Sequence, residues 1–132
     1  MDAASALADL LEISSHVDAA VLVEADGEIA GSTIATEAGS DRLARAGLGL
    51  LDGATERFAT TGRTVTQVEA ALREGSVYVL RDGTRTVVAR TRPKAPSLLV
   101  FYDLRACLEA AAPPKPKRRR AASKKVERAA DA

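Results

Sequence analysis

Hydrophobic residues near the start of the chain recur at helical spacing. Over residues 3–17 the apolar and small positions are three or four residues apart, which predicts an amphipathic helix. Asp2 is its predicted N-cap, and Ser5 could serve the same role one turn later. The positions that form this stripe are Ala3, Leu7, Leu10, Leu11, Ser14 and Val17.

The period then changes to that of a β-hairpin. Residues 19–23 are continuously apolar, as in a strand that is buried on both faces. Asp26-Gly27 predicts a type I′ turn, because both central positions of that turn need positive φ. Residues 29–34 form the predicted returning strand, with Gly31 as the site of a β-bulge.

A long helical segment follows this hairpin. Ser40 or Asp41 is the predicted N-cap, the helix runs to about Thr61, and Gly62 ends it. Three glycines inside this helix each cost about 1 kcal/mol relative to alanine, so some contact must favour small side chains there. They are Gly47, Gly49 and Gly53.

Three short β-branched segments and one last helical segment complete the pattern. The strands are predicted at 65–72, 76–81 and 84–91, and Asp82-Gly83 between the last two is a strong hairpin signal. The segment after them alternates like a strand at first, but Ser97 after a proline and the later helical spacing favour a helix over 97–112.

The order of elements is therefore α-β-β-α-β-β-β-α. It predicts an α+β fold: a five-stranded antiparallel sheet with helices packed on it. No internal repeat is present in the sequence.

Charge divides the chain into two parts. Residues 113–132 contain eight Lys/Arg and two Asp/Glu, a net charge of +6, whereas residues 1–112 contain eleven and sixteen, a net charge of −5. We therefore predict a folded domain over 1–112 and a basic tail over 113–132 that is expected to be disordered.

Three interpretations of the tail stay open. It is a solvated terminus, a sequence-independent binder of nucleic acid, or a contact for an anionic membrane surface or an acidic protein. No aromatic residue is interleaved with the cations, so base stacking is not expected. The predicted anion-binding residues are Lys115, Lys117, Arg118, Arg119, Arg120, Lys124 and Lys125.

The sequence offers no set of residues for catalysis, for a metal or for a cofactor. It has no phosphate-binding loop, and the single histidine, His16, is predicted at a helix end beside the terminal carbonyls. Cys107 is the single cysteine and lies on an apolar helical stripe, so it is predicted to belong to the core. A free thiol and the lack of a signal peptide or apolar span favour the cytoplasm.

Three segments resemble the Roadblock family, the dynein-light-chain-like domains that also occur in bacteria and archaea. "AAVLVEADGEIAGST" is similar to the first hairpin of the family, "DRLARAG" to the start of its second helix, and "SLLVFYDLRACLEA" to its last helix. The resemblance covers about residues 3–112. It implies a Roadblock/profilin-like fold.

The resemblance also implies a function. Roadblock domains form homodimers or heterodimers by pairing their second helices and extending the sheet across the interface. They usually have no catalysis of their own, and they act as scaffolds or regulators, often of small Ras-like GTPases.

The residues of the second helix independently favour a partner. Two apolar stripes, one through Leu43, Ala46, Leu50 and Ala54 and one through Ala44, Leu48, Leu51 and Phe58, cover more than a helix lying on a sheet needs. A second copy of the helix would cover the excess, and the glycines would let the two backbones approach. The alternative is that the glycines sit against the chain's own sheet. The predicted dimer interface comprises Leu43, Gly47, Leu50, Leu51, Ala54 and Phe58.

The leading hypothesis is therefore a non-enzymatic dimeric scaffold or regulator of a small GTPase or a signalling complex, pairing with itself or with a related chain. The alternative is a nucleic-acid-associated protein that binds through its tail.

Overall fold

The structure, a computed structural model, describes residues 1–112. It confirms the predicted order of three helices and five strands, with one additional 3₁₀ turn. In chain order the elements are α1 (Ala3–Ile13), β1 (Val17–Val23), β2 (Ile29–Ser32), α2 (Glu37–Arg57), the 3₁₀ turn (Ala59–Thr61), β3 (Gln67–Leu72), β4 (Gly75–Asp82), β5 (Arg85–Thr91) and α3 (Ser97–Ala110).

All five strands form one antiparallel sheet in the spatial order β2-β1-β5-β4-β3. Helices α1 and α3 pack on one face, and α2 packs on the other. Each face has its own apolar cluster, because successive residues of a strand point to opposite sides. Leu22 and Tyr78 belong to the α1/α3 cluster, and Val21 and Val88 belong to the α2 cluster. All residues of the two clusters that the structure describes lie between Ala3 and Ala111.

Helix α1 is shorter than predicted. It begins at the expected cap, where Asp2 Oδ1 accepts a hydrogen bond of 2.8 Å from the Ser5 N–H, but it ends at Ile13. The Ser14 side chain accepts the N–H groups of His16 and Val17, each at 3.2 Å, and so starts β1. The prediction that the helix reaches residue 17 and that His16 lies at its end was therefore wrong.

The first hairpin is confirmed, but its predicted turn type is wrong. Gly27 has a positive φ of +87°, whereas Asp26 does not, so a type I′ turn is not formed. The Gly27 N–H donates to the Glu24 carbonyl at 2.9 Å, which closes a longer loop with a single left-handed residue. The β1–β2 register shifts next to Gly31, and the missing side chain at Gly31 makes room for Ala3 and Leu7 of α1.

Helix α2 begins three to four residues before the predicted cap. Thr36 is the N-cap, and its Oγ1 accepts from the Gly39 N–H at 3.1 Å. The hydroxyl of Ser40 instead bonds that of Ser32 in β2, at 2.6 Å. The α-helix ends at Arg57, and the 3₁₀ turn continues to Gly62, which has the expected left-handed φ of +73°.

The last elements agree closely with the prediction. Asp82 pairs with Arg85, so the β4–β5 loop consists of Gly83 and Thr84, with a φ of +65° at the glycine. Helix α3 begins at Ser97 as predicted and ends at Ala110, two residues earlier than expected. The core packs Tyr78 edge-on against Phe101, with ring centroids 5.1 Å apart.

Candidate dimer interface

Half of the predicted interface residues belong to the chain's own core. Leu43, Gly47 and Leu51 are buried between α2 and the sheet. A methyl group at Gly47 would overlap the side chain of Val88 in β5. The alternative that a glycine sits against the chain's own sheet therefore holds for Gly47. The chain's own sheet already buries these three residues. A dimer would therefore have to use other positions on the surface of α2.

The other two helix glycines lie on a surface that faces away from the sheet. A Cβ atom at Gly49 or Gly53 would meet no atom within 4 Å. Ala46 beside them is exposed, and Leu50 and Ala54 are half-buried. Because residues three and four apart share a helix face, Ala46, Leu50, Gly53 and Ala54 form one continuous flank of small and apolar groups. We call these four residues the α2 flank.

The sheet adds apolar surface on the same side of the molecule. Val77 packs against the α2 cluster, and its register partner Ala70 shares its face. Leu72, two residues further along the edge strand β3, is 60% exposed. Phe58 at the end of α2 is 49% exposed. The sequence analysis did not predict the sheet residues Ala70, Leu72 and Val77. The pattern of a strand does not tell whether that strand lies at the edge of the sheet, or which end of it the helix leaves uncovered.

A polar rim borders the N-terminal half of α2. A cavity of about 300 Å³ is lined by Gly39, Arg42, Ala46 and Arg90 together with neighbouring residues. Within residues 1–112 the one ion pair joins Arg92 to Asp18, at 3.6 Å. The guanidinium groups of Arg42 and Arg90 are therefore available to acidic groups of a partner.

Two kinds of reactive group were considered in the sequence, metal ligands and the cysteine thiol. Residues 1–112 hold no group of His, Cys, Asp and Glu side chains that could bind a metal ion. Cys107 is buried in the α1/α3 cluster, as predicted, and its Sγ lies 3.6 Å from the carbonyl oxygen of Ala6. Burial raises the pKa of the Cys107 thiol from its ordinary value of 9.0 to about 11, so it is a poor nucleophile at neutral pH.

The predicted anion-binding residues of the tail, from Lys115 to Lys125, lie outside the described residues. Among residues 1–112, none of the helices has the length and apolar character that crossing a bilayer requires.

Comparison with solved structures identifies the architecture. A Roadblock/LC7 domain from Streptomyces avermitilis superposes with a TM-score of 0.75 at 18% identity, covering 83% of this chain and 94% of that one. The chain has the Roadblock/LC7 fold. The gliding protein MglB from Thermus thermophilus gives a TM-score of 0.66 at 17% identity, with 80% and 82% coverage.

An MglB with a tetrameric arrangement gives a TM-score of 0.69 at 16% identity, with 82% and 83% coverage. By sequence, no protein-family model matches the chain, and the curated proteins include no significant match. At these identities the Roadblock/LC7 likeness is one of fold.

Proposed function

We propose that this protein is a non-enzymatic dimeric scaffold or regulator whose two copies meet through the α2 flank and the end of the sheet beside it. The observation that carries the proposal is the apolar surface on the α2 side, formed by the α2 flank with Phe58, Leu72 and Val77. Large exposed apolar side chains gathered on one side of a molecule often mark an interaction site.

The shape of the α2 flank fits a second helix. Gly53 in the flank and Gly49 beside it carry no side chain on the surface of α2, so another backbone can approach closely. Two exposed glycines inside a helix cost about 1 kcal/mol each, and a close helix–helix contact supplies the compensating packing. The unpaired edge of β3 beside this surface offers six residues of backbone for a second sheet.

The proposed partner of the dimer is a small Ras-like GTPase or another component of a signalling complex. The Roadblock/LC7 fold supports this choice, as does the structural likeness to the gliding protein MglB. The proposed location is the cytoplasm, in keeping with a free buried thiol at Cys107. Binding measurements with purified Ras-like GTPases, in their GDP-bound and GTP-bound forms, test whether a GTPase is the partner.

The dimer is tested by light scattering on the wild type and on Leu50→Glu. We expect the wild type at micromolar concentration to have twice the 13.8 kDa mass of the chain. Leu50→Glu places a carboxylate in the centre of the apolar surface, where it would be desolvated, and should weaken dimerisation by tenfold or more, about 1.4 kcal/mol per factor of ten.

Leu98→Glu is the control for the change of charge, because Leu98 is 88% exposed on α3, on the opposite side of the sheet. It should leave the dimer intact. Since Leu50 also packs against the α2 cluster, circular dichroism must show that both variants are folded. A wild type that is monomeric at micromolar concentration, or a Leu98→Glu that dissociates as readily as Leu50→Glu, would remove the proposed interface.

The alternative function, sequence-independent binding of nucleic acid, depends on the eight Lys/Arg of residues 113–132. It requires that the tail be free to meet phosphates.

A further inference from the structure

A second apolar surface lies on the opposite side of the sheet, between α1 and α3. It is a groove of about 260 Å³, which we call the α1/α3 groove. Ile13 and Tyr102 form its outer end and are 73% and 72% exposed, although both are largely apolar. The groove is lined by Ala6, Asp9, Leu10, Ile13, Tyr102, Asp103, Ala106, Cys107 and Ala110.

One side chain of this lining lacks the partner that its chemistry requires. Asp103 is only 9% exposed, yet within residues 1–112 its carboxylate accepts no hydrogen bond and forms no ion pair. A buried carboxylate is costly unless it is paired. The groove therefore presents an unpaired carboxylate beside an apolar floor.

The helical layer around the groove is acidic. Helix α1 contains Asp9 and Glu12 and no basic residue, and Asp2 caps it. Helix α3 contains Asp103 and Glu109 against the single basic residue Arg105. The two helices and the Asp2 cap thus hold five carboxylates and one guanidinium. The Met1 ammonium and the Arg85 guanidinium at the Ala110 end reduce this negative charge without cancelling it, so the layer attracts a cationic segment.

The chain itself supplies such a segment. We propose that the basic tail, residues 113–132, binds in cis along the α1/α3 groove. Its charge of +6 complements the acidic layer, and "KKVER" at 124–128 places one apolar side chain among three cations. The valine of this run suits the apolar floor, and a neighbouring cation can pair with Asp103.

The connection to the tail is compatible with this contact. Ala110 lines one end of the groove, and the tail starts three residues later. From Ala110 to Tyr102 the groove extends about 12 Å along α3, at 1.5 Å per residue. Twenty residues can span roughly 60 Å, which leaves ample chain for the reversal. Tethering also gives the tail an effective concentration on the order of millimolar.

The site is independent of the proposed dimer, because the α2 flank lies on the other face of the sheet. Binding of the tail would cover the exposed side chains of Ile13 and Tyr102. It would also withhold the tail's cations from other polyanions.

The test compares ¹H–¹⁵N spectra of the full chain and of residues 1–112, which contain all the helices and strands that the structure describes and both apolar clusters. Shift differences should cluster at residues 6–13 and 102–110 and should shrink in 0.5 M NaCl, since salt screens charge pairs. Identical spectra, or differences centred on α2, would overturn the proposal. Differences that grow with protein concentration would place the tail on another molecule and overturn binding in cis.

Peptide titration with variants tests the role of Asp103. A synthetic peptide of residues 113–132 is added to residues 1–112. Asp103→Asn should weaken its binding roughly tenfold, the loss expected for a hydrogen bond to a charged group. Asp41→Asn is the control, because it makes the same change of charge on α2. Equal affinities of the two variants would overturn the assignment.

If Asp103→Asn does not fold, Asp9→Asn replaces it in the peptide titration. Asp9 is exposed at the rim of the groove, so its substitution does not disturb the core. Asp9→Asn should also bind the peptide more weakly than Asp41→Asn does. Unchanged binding in Asp9→Asn would contradict the proposed site.

Discussion

Gly47 shows how one missing methyl group determines the position of a helix. It lies at the centre of the buried stripe of α2, directly above Val88 in the central strand β5. Any Cβ atom there would force the helix away from the sheet. Gly49, two residues on, is exposed and meets nothing within 4 Å. The two glycines are chemically identical, but only the first is required by the chain's own packing.

We therefore expect Gly47→Ala and Gly49→Ala to change stability in opposite directions. Gly47→Ala should lower the free energy of unfolding by about 1–2 kcal/mol, because overpacking at Val88 exceeds the gain in helix propensity. Gly49→Ala should raise it by about 0.5–1 kcal/mol. Urea unfolding in the Leu50→Glu background, where the proposed dimer is dissociated, measures both effects on the monomer alone. If Gly47→Ala proved as stable as Gly49→Ala, α2 would have to sit further from the sheet than described.

The C-terminal end of α3 is held by a side chain from the sheet. Arg85 of β5 donates to the carbonyl oxygens of Leu108 at 2.9 Å, Ala111 at 3.0 Å and Ala112 at 3.3 Å. These carbonyls have no partner within the helix, and a cation at this end also complements the helix dipole. One guanidinium thus joins the last helix to the central part of the sheet.

Arg85→Met should release this end of the helix. The substitution keeps the aliphatic stem but removes the three hydrogen bonds, so we expect a loss of about 1–3 kcal/mol in the free energy of unfolding. Amide hydrogen exchange should accelerate at residues 108–112. Arg105→Met on the same helix is the control, since Arg105 is exposed and makes no side-chain hydrogen bond within residues 1–112. Equal exchange in both variants would show that Arg85 does not hold the helix end.

At the scale of the molecule, the charges of the domain and of the tail oppose each other. Residues 1–112 carry −5 and residues 113–132 carry +6. The acidic groups of α1 and α3 compete with phosphates for the same cations. Whether the tail binds nucleic acid or its own domain therefore depends on which binds its cations more tightly, the phosphates or the carboxylates of α1 and α3.

Elution from immobilised duplex DNA compares these two competitors. We expect the free peptide 113–132 to need more salt for elution than the full chain, and residues 1–112 to pass through unretained, because counterion release scales with the number of phosphates that are neutralised. A full chain that is retained as strongly as the peptide would show that the tail is free, and would favour the nucleic-acid alternative.

Much of the fold was predictable because each element keeps one hydrophobic period along its length. The continuous apolar run at 19–23 belongs to β1, an interior strand of the sheet, and the helical spacing after Ser97 does form α3. The errors occurred where a side chain redirected the backbone. Ser14 ends α1 by accepting two N–H groups of the next segment, and Val17 fits a helical stripe and a strand equally well.

The candidate interface was predictable only in part. The sequence shows that α2 is apolar on more than one side, but periodicity alone does not tell which side meets the sheet. Periodicity predicted the half-buried residues Leu50 and Ala54 and the exposed Phe58, together with the buried residues Leu43, Gly47 and Leu51. Leu72 and Val77 were missed, because their exposure depends on the diagonal path of a helix across a sheet, which is a property of the tertiary structure.

The first and last described residues touch. The amide N–H of Ala112 donates to the carbonyl oxygen of Met1, and the terminal ammonium lies 3.4 Å from the carbonyl oxygen of Ala110. A short peptide could therefore join the two ends, and new termini could be opened in an exposed loop such as Gly83-Thr84. For the same reason, an affinity tag fused before Met1 would emerge beside the exit of the tail, so labels for binding studies are better placed at that loop.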